Sequence, residues 1–384
     1  MKKLILLLTV FTSLSASAGV ITCSNNVNSP GQYTLLQDAI DNANANDTIL
    51  VHGSSTSYGS IVIDSKKLSF FGNGYKNPNG LNSTIAGISL KRATATLSSS
   101  GTSFSGFAIG TATLDASPLT GTVKTLSNIT FERCEFVSHG TSTSTANIIF
   151  FENYATTNYL YSNILIKNCL FNSGYRPFSC TTSGGGWYTH YMPCSNVVFE
   201  NNIFSYSNIR LPGSPDLSGL IFRNNIFLDT YSSLITYEGS TTEIITGPLF
   251  ENNIINGGEG ISGCRNCTFN NNITSECVQD SLVYSGNINS TGGGNIIGQD
   301  PLFVDVPLGI YSFSYANDYN LQPASPSIGS GSSGTDMGIY GGTAPFEVGA
   351  NPAIPQMQET TTPLGSTVSQ GTNLNVTFKS YKQD

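Results

Sequence analysis

The residues best suited to chemistry lie in one stretch. It reads Tyr175-Arg176-Pro-Phe-Ser-Cys180 and, after a short gap, Gly184-Gly-Gly-Trp187-Tyr188-Thr-His190-Tyr191-Met-Pro-Cys194. It holds the only Trp of the chain, one of its three His, an Arg and three Tyr. Tyr and Trp rings offer flat apolar faces that stack on sugar rings, while their polar ends reach hydroxyls. Trp187 and Tyr188 are therefore candidate platforms, Arg176 and His190 candidate polar contacts, and Tyr175 and Tyr191 further contact residues. The competing reading is that these aromatics pack the stretch against the body of the fold. Cys180 and Cys194 bracket it. A bridge closing a loop of about 15 residues removes roughly 3 kcal/mol of unfolded-state entropy, and a fixed presentation of the rings lowers the cost of binding. A Cys180–Cys194 disulfide is expected.

Other chemistries lack their residue sets. Hydrolysis of a glycosidic bond uses two carboxyl groups flanking it, and the Asp residues of this chain are scattered along it. Calcium takes about six to eight oxygens. Asp300, Asp305, Asp318 and Asp336 are close in sequence, but the Gly and Pro around them mark turns. Cys264-Arg-Asn-Cys267 has neither the second CxxC nor the paired His of a zinc site. No metal and no cofactor are expected.

What must position the aromatic stretch is a repeat. Ile129-Thr-Phe131-Glu-Arg-Cys134-Glu-Phe136 returns as Ile164-Leu-Ile166-Lys-Asn-Cys169-Leu-Phe171, Val197-Val-Phe199-Glu-Asn-Asn202-Ile-Phe204 and Leu220-Ile-Phe222-Arg-Asn-Asn225-Ile-Phe227. Phe250-Glu-Asn-Asn253-Ile-Ile255 and Phe269-Asn-Asn-Asn272-Ile-Thr274 are weaker copies. Alternation of period two makes each copy a strand with one buried face. The Cys or Asn breaks the alternation, and because Asn tolerates left-handed backbone it is read as the corner between two strands. Stacked coils place equivalent residues ~4.8 Å apart, so Asn202, Asn225, Asn253 and Asn272 should hydrogen-bond along a column. The residues after the anchors, Glu132, Lys167, Glu200, Arg223, Glu251 and Asn270, should form an outward row whose charges alternate in sign until the last. Upstream, Tyr33–Ala43 has helical apolar spacing and is expected to cap the stack ahead of its first strand. Around Phe70 and Phe104 the pattern reads as two degenerate early coils.

Of the 384 residues only 10% are charged, against about 25% in an ordinary soluble domain. That argues against long solvated helices and coiled coils, while 39% apolar and 10% aromatic content is ample for a core. A net charge of −8 disfavours nucleic acid as a partner, since backbone binding needs clustered Lys and Arg. Met1-Lys2-Lys3, the apolar run Leu4–Phe11 and Ala16-Ser17-Ala18 have the order of a secretory signal peptide, residues 1–18. Val20-Ile21-Thr22 does not make a lipobox ahead of Cys23. No later run reaches the ~18 apolar residues of a membrane span. The expected location is outside the cytoplasm: extracellular, cell surface or periplasm. The eight Cys are read as bridges or buried thiols.

Asn46-Asp47-Thr48-Ile49-Leu50-Val51, following the helix, resembles the entry of the pectate-lyase-like superfamily, and Phe-Glu-Asn-Asn-Ile-Phe resembles its coil. Gly294–Asp305, Asp318–Ile328 and Asp336–Gly342 are similar to its closing coil. The resemblance implies an all-β, single-stranded right-handed parallel β-helix over residues 19–346, with an N-terminal capping helix. A small C-terminal β appendage over 347–384 follows from Pro352, Pro355 and Pro363 and the alternating Leu374–Phe378. That superfamily includes lyases, hydrolases, esterases, epimerases and binding proteins. Of the polygalacturonase motifs only a fragment, Ser138-His139-Gly140, is present. Gln279-Asp280 resembles one pectin methylesterase motif without its partners. The expectation is an exported protein that binds polysaccharide, mediates adhesion or builds the envelope, with no complete catalytic motif. The alternative is a polysaccharide lyase or glycoside hydrolase with a non-standard site near residues 175–194.

Overall fold

The computed structural model describes residues 18–77, 80–94, 97–115, 124–137, 148–152, 159–172, 177–182, 194–205, 209–212, 217–228, 235–238, 247–307, 309, 312–349, 356–361 and 377–381. Two long parallel sheets face each other across an aromatic core. The first runs from Val20–Cys23 through Thr48–Val51, Ser69–Phe71, Ser103–Ser105, Thr130–Glu132, Tyr159–Lys167, Cys194–Glu200, Leu220–Arg223, Leu249–Glu251 and Thr268–Asn270 to Thr291–Gly293. The second contains Ala108–Asp115, Glu135–Phe136, Leu170–Asn172, Ile203–Ser205, Ile226–Leu228, Ile254–Asn256 and Ile273–Ser275. Each chain segment contributes one strand to the first sheet, turns, and contributes one to the second, so the architecture is a parallel β-helix.

The six sequence anchors are all in register: Phe131 pairs with Ile166, Ile166 with Phe199, then Phe222, Phe250 and Phe269. Phe70 and Phe104 continue the column upstream. Their rings stack 4.6 to 5.4 Å apart where Phe follows Phe. On the outward row Lys167 Nζ lies 3.0 Å from Glu132, and Arg223 makes two hydrogen bonds to Glu200, at 3.0 and 3.2 Å. Adjacent coils thus meet with opposite charges, which avoids the repulsion of a like-charged row.

The Asn column forms. Asn202 Nδ2 donates to Asn225 Oδ1 at 3.1 Å, Asn225 to Asn253 at 3.0 Å, Asn253 to Asn272 at 2.9 Å and Asn272 to Asn295 at 3.1 Å. Asn295 extends the column one coil beyond the expected set. At the other end Cys169 N donates to Asn202 Oδ1 at 2.8 Å, and the buried Cys134 and Cys169 thiols continue the column.

One expectation is corrected here. The column residue is not the left-handed one. Positive φ belongs to the residue before it: Arg133, Asn168, Asn201, Asn224, Asn252 and Asn271, with φ from 52° to 57°. The two functions cannot share a residue. The left-handed bend turns its own side chain outward and sends the next one inward to the ladder. The Asn-Asn pair divides bending from bonding.

The helix, Leu36–Asn42, follows the first strand rather than preceding it, and it buries Leu36, Ala39 and Ile40. It caps by side-chain mimicry of a strand: Gln37 Oε1 accepts from Val62 N at 2.9 Å and Gln37 Nε2 donates to Val62 O at 3.1 Å. These bonds satisfy an edge that would otherwise invite pairing.

The late segment is a second correction. Past Asp300 the chain does not close as a coil but returns along the outside of the second sheet. It makes a short antiparallel pair, Phe303–Asp305 with Asp318–Leu321, and then runs back over the corners. Asn271 Nδ2 donates to Ser330 O, Ser332 N to Asn252 Oδ1, Asn224 Nδ2 to the carbonyls of Asp336 and Gly338, and Asn201 Nδ2 to those of Ile339 and Gly341. The outward-turned Asn of each corner is therefore a docking group. Beneath this return, Leu170, Ile203, Ile226, Ile254 and Ile273 pack with Phe303, Tyr319, Met337, Ile339 and Phe346. The C-terminal appendage is an antiparallel pair, Gln356–Thr361 with Thr377–Tyr381. Cys264 and Cys267 form a disulfide.

Candidate functional site

The aromatic stretch singled out by sequence lies outside the described residues at Tyr175, Arg176, Trp187, Tyr188, His190 and Tyr191. Its described ends are backbone strands. Cys180 lies in Phe178–Thr182, which pairs with Ile148–Glu152, and Cys194 pairs with Tyr161 at the head of the next first-sheet strand. The side chain of Cys180 is outside the described set, and with it the Cys180–Cys194 pairing. What the strands do fix is where the stretch departs: it joins the end of Leu170–Asn172 to the start of Cys194–Glu200.

Within the described residues the anomalous group is Glu135. The outer face of the second sheet reads Ala108, Glu135, Leu170, Ile203, Ile226, Ile254 and Ile273 in register. One carboxyl thus stands in an otherwise aliphatic row, 7% exposed. The returning segment covers it. Tyr315 hydrogen-bonds Glu135, and Asn172 Nδ2 donates to its Oε1 at 3.4 Å. Lys76 sits 4.5 Å from the Tyr315 ring centre. Tyr75 is buried beside them, and its backbone N donates to Gly349 O. Burial pushes the Glu135 carboxyl up, and the bonds from Tyr315 and Asn172 and the charge of Lys76 draw it only partly back. Burial and the neighbouring Glu135 charge likewise raise the Tyr315 phenol.

This arrangement holds a carboxyl toward its neutral form and two phenols in theirs. The groups that act on the carboxyl are a phenol, an amide and a Lys. Its chemistry is that of a latch between coil and returning segment. A raised folded-state pKa stabilises the fold at low pH and gives that stability up as pH climbs from the ordinary carboxyl value of 4.5 through the raised one. Replacing Glu135→Gln keeps the shape and removes the proton. The melting temperature of this variant is expected to fall less than that of the unmodified protein between acid and neutral pH. Parallel melting curves for the two proteins across that range would disprove the assignment.

Sequence reading passed over Glu135, although a signal was present. The position after the ladder residue is Leu or Ile in every other copy, at 170, 203, 226, 254 and 273. Tyr75, Lys76 and Tyr315 carry no local signal, because they arrive from distant segments.

A cleft of about 230 Å³ lies at the far end of the second sheet, between Asn256 and Ser275 and the returning Asp300–Pro307. Among the described residues, no group of three or more His, Cys, Asp or Glu is placed to hold a metal, and no helix is long and apolar enough to cross a membrane.

The sheets and their register define a parallel β-helix. Among solved structures the chain is similar to the crystal structure of pectate lyase Pel9A, at 12% identity over 85% of this chain and 96% of that one, with a TM-score of 0.38. No family model matches the chain, and no curated protein matches it.

Proposed function

We propose that this is an exported β-helix that binds glycan chains and performs no chemistry on them. One observation carries the reading. The corner from first to second sheet takes two residues in each of the six coils that hold the anchors, whereas the return segments 137–158, 173–193, 206–219 and 229–248 are long, each carrying one further short strand. Four successive coils thus launch their long connections from one edge of a rigid stack. Those connections hold Trp187, Tyr188 and Tyr191, together with Tyr206, Tyr231 and Tyr237. Long segments on a rigid scaffold are where binding residues concentrate, and aromatic residues recurring from one connection to the next suit a repeating polymer.

Export is supported by the leader-like residues 1–18 and by a contact beyond them. Gly19 N already donates to Oδ1 of the buried Asp47 at 2.6 Å. Cleavage after Ala18 would turn this bond into an ion pair with the new ammonium group. A Cys180–Cys194 bridge belongs to the same reading and is checked by non-reducing peptide mapping of the exported protein.

The test is a glycan array followed by titration with whichever polysaccharide binds. Trp187→Ala and Tyr188→Ala should each fold normally and weaken binding about tenfold, the effect of losing one anchoring ring. Absence of any bound polysaccharide, or binding by both variants as tight as that of the unmodified protein, overturns the proposal. Release of reducing ends or unsaturated products during the same incubation selects the lyase or hydrolase alternative instead.

A further inference from the structure

We infer that the cleft between the last coils and the returning segment is a binding site for a single neutral sugar ring, an inference that rests on the glycan-binding reading and adds a contact at the far end of the second sheet. The floor is built on one row of the second sheet. In register it reads Asn172, Ser205, Leu228, Asn256 and Ser275. The first two polar members are used by the fold: Asn172 donates to Glu135, and Ser205 Oγ accepts from Phe313 N at 3.0 Å. The last two face the cleft. Asn256 is 92% buried, at 8% exposure, and lines the cleft. Its amide can exchange water in the cleft for the hydroxyls of a ligand.

The lining says what the ligand is. Asn256 offers two donors and an acceptor, and Ser275 a hydroxyl. Asp300 and Asp305 stand exposed at the rim as acceptors, and Leu302, Phe303 and Pro307 supply apolar surface. Clustered hydroxyls on a ring with an apolar face satisfy that mixture. A uronate carboxylate would meet two aspartates and Glu276 and be repelled. At about 230 Å³ the cleft is smaller than the ~300 Å³ at which drug-sized sites begin, so it fits one ring and not a stretch of chain. The walls are held firmly: Leu302 N donates to Asp300 Oδ1 at 2.8 Å, and Gln322 Nε2 donates to Phe303 O at 2.8 Å.

The experiment titrates the full chain with the methyl glycosides of glucose, galactose and mannose, and with methyl glucuronide, read by saturation-transfer NMR and calorimetry. At least one neutral glycoside should bind, and the glucuronide should bind at least about tenfold more weakly. Asn256→Ala should weaken the neutral ligand about tenfold or more. Asp305→Asn, a change at an exposed position that leaves folding intact, should narrow the gap between neutral and anionic ligands. The inference is overturned if no neutral glycoside binds, if binding survives Asn256→Ala, or if Asp305→Asn leaves the neutral-to-anionic ratio as it was. None of these outcomes bears on capture of polysaccharide in the array, so the glycan-binding reading would stand.

Discussion

Asn225→Ala is expected to lower the free energy of unfolding by about 3–4 kcal/mol, measured as a shift of the urea midpoint at unchanged slope. Asn225 is fully buried and serves three neighbours at once. Its Nδ2 donates to Phe199 O at 3.0 Å and to Asn253 Oδ1 at 3.0 Å. Its Oδ1 accepts from Asn202 N at 3.0 Å and from Asn202 Nδ2 at 3.1 Å. A truncation therefore leaves a backbone carbonyl, a backbone N–H and two amide groups short of partners in a dry corner. Each such group costs about 1–3 kcal/mol if nothing replaces the bond, and the estimate allows for a water entering the space. Asn225→Asp should be comparably costly, because a carboxylate accepts but cannot donate to Phe199 O. Asn224→Ala, one residue earlier, should instead loosen the returning segment, whose Asp336 and Gly338 carbonyls it holds. A midpoint unchanged for Asn225→Ala would show that the column contributes nothing to stability.

Period-two alternation made the coil register legible. An inward anchor every coil, with Asn or Cys three residues on, admits only one stacking. Phe131, Ile166, Phe199, Phe222, Phe250 and Phe269 accordingly sit opposite one another. The outward row was legible for the same reason, since its charge signs follow from the same register. The division of labour within Asn-Asn was not. Residue type alone cannot say which of two adjacent Asn bends the chain and which bonds inside it. The course of residues 300–349 was also hidden. That segment is docked by side-chain amides reaching its carbonyls, an interaction that imposes no periodicity on the docked sequence, so its likeness to a closing coil had nothing to contradict it.

The sites differ in the same physical way. An aromatic, Gly-rich, Cys-bracketed stretch announces itself by composition, and this one did, although its side chains fall outside the described residues. Glu135 announces itself only as a violation: a carboxyl at a position where the other copies place Leu or Ile. The cleft at Asn256 is harder still. Asn256 and Ser275 occupy ordinary strand positions, and only the arrival of Asp300–Pro307 from another part of the chain makes a concavity of them.

Phe204→Ala should cost about 4 kcal/mol, within the range for a buried Phe that leaves a cavity. Phe204 is fully buried in the second-sheet column. Its ring stacks on Phe171 at 4.7 Å and on Phe227 at 4.8 Å, nearly parallel to each, and lies 6.0 Å from Phe199 of the facing sheet. Truncation removes a ring held on three sides by other rings. The strands that carry those neighbours are pinned by ladder bonds above and below, so they cannot collapse into the space. The column itself supplies the control. One coil beyond Phe227 the same position is Ile255, fully buried and in register. An aliphatic side chain of that shape therefore fits the column. Phe204→Ile should cost about 1–1.5 kcal/mol, close to a volume-conserving exchange. Urea titrations of the two variants decide the matter. A loss below about 2 kcal/mol for Phe204→Ala, or equal losses for Ala and Ile, would mean that the coils relax around the gap and that the aromatic column is not what makes the stack rigid.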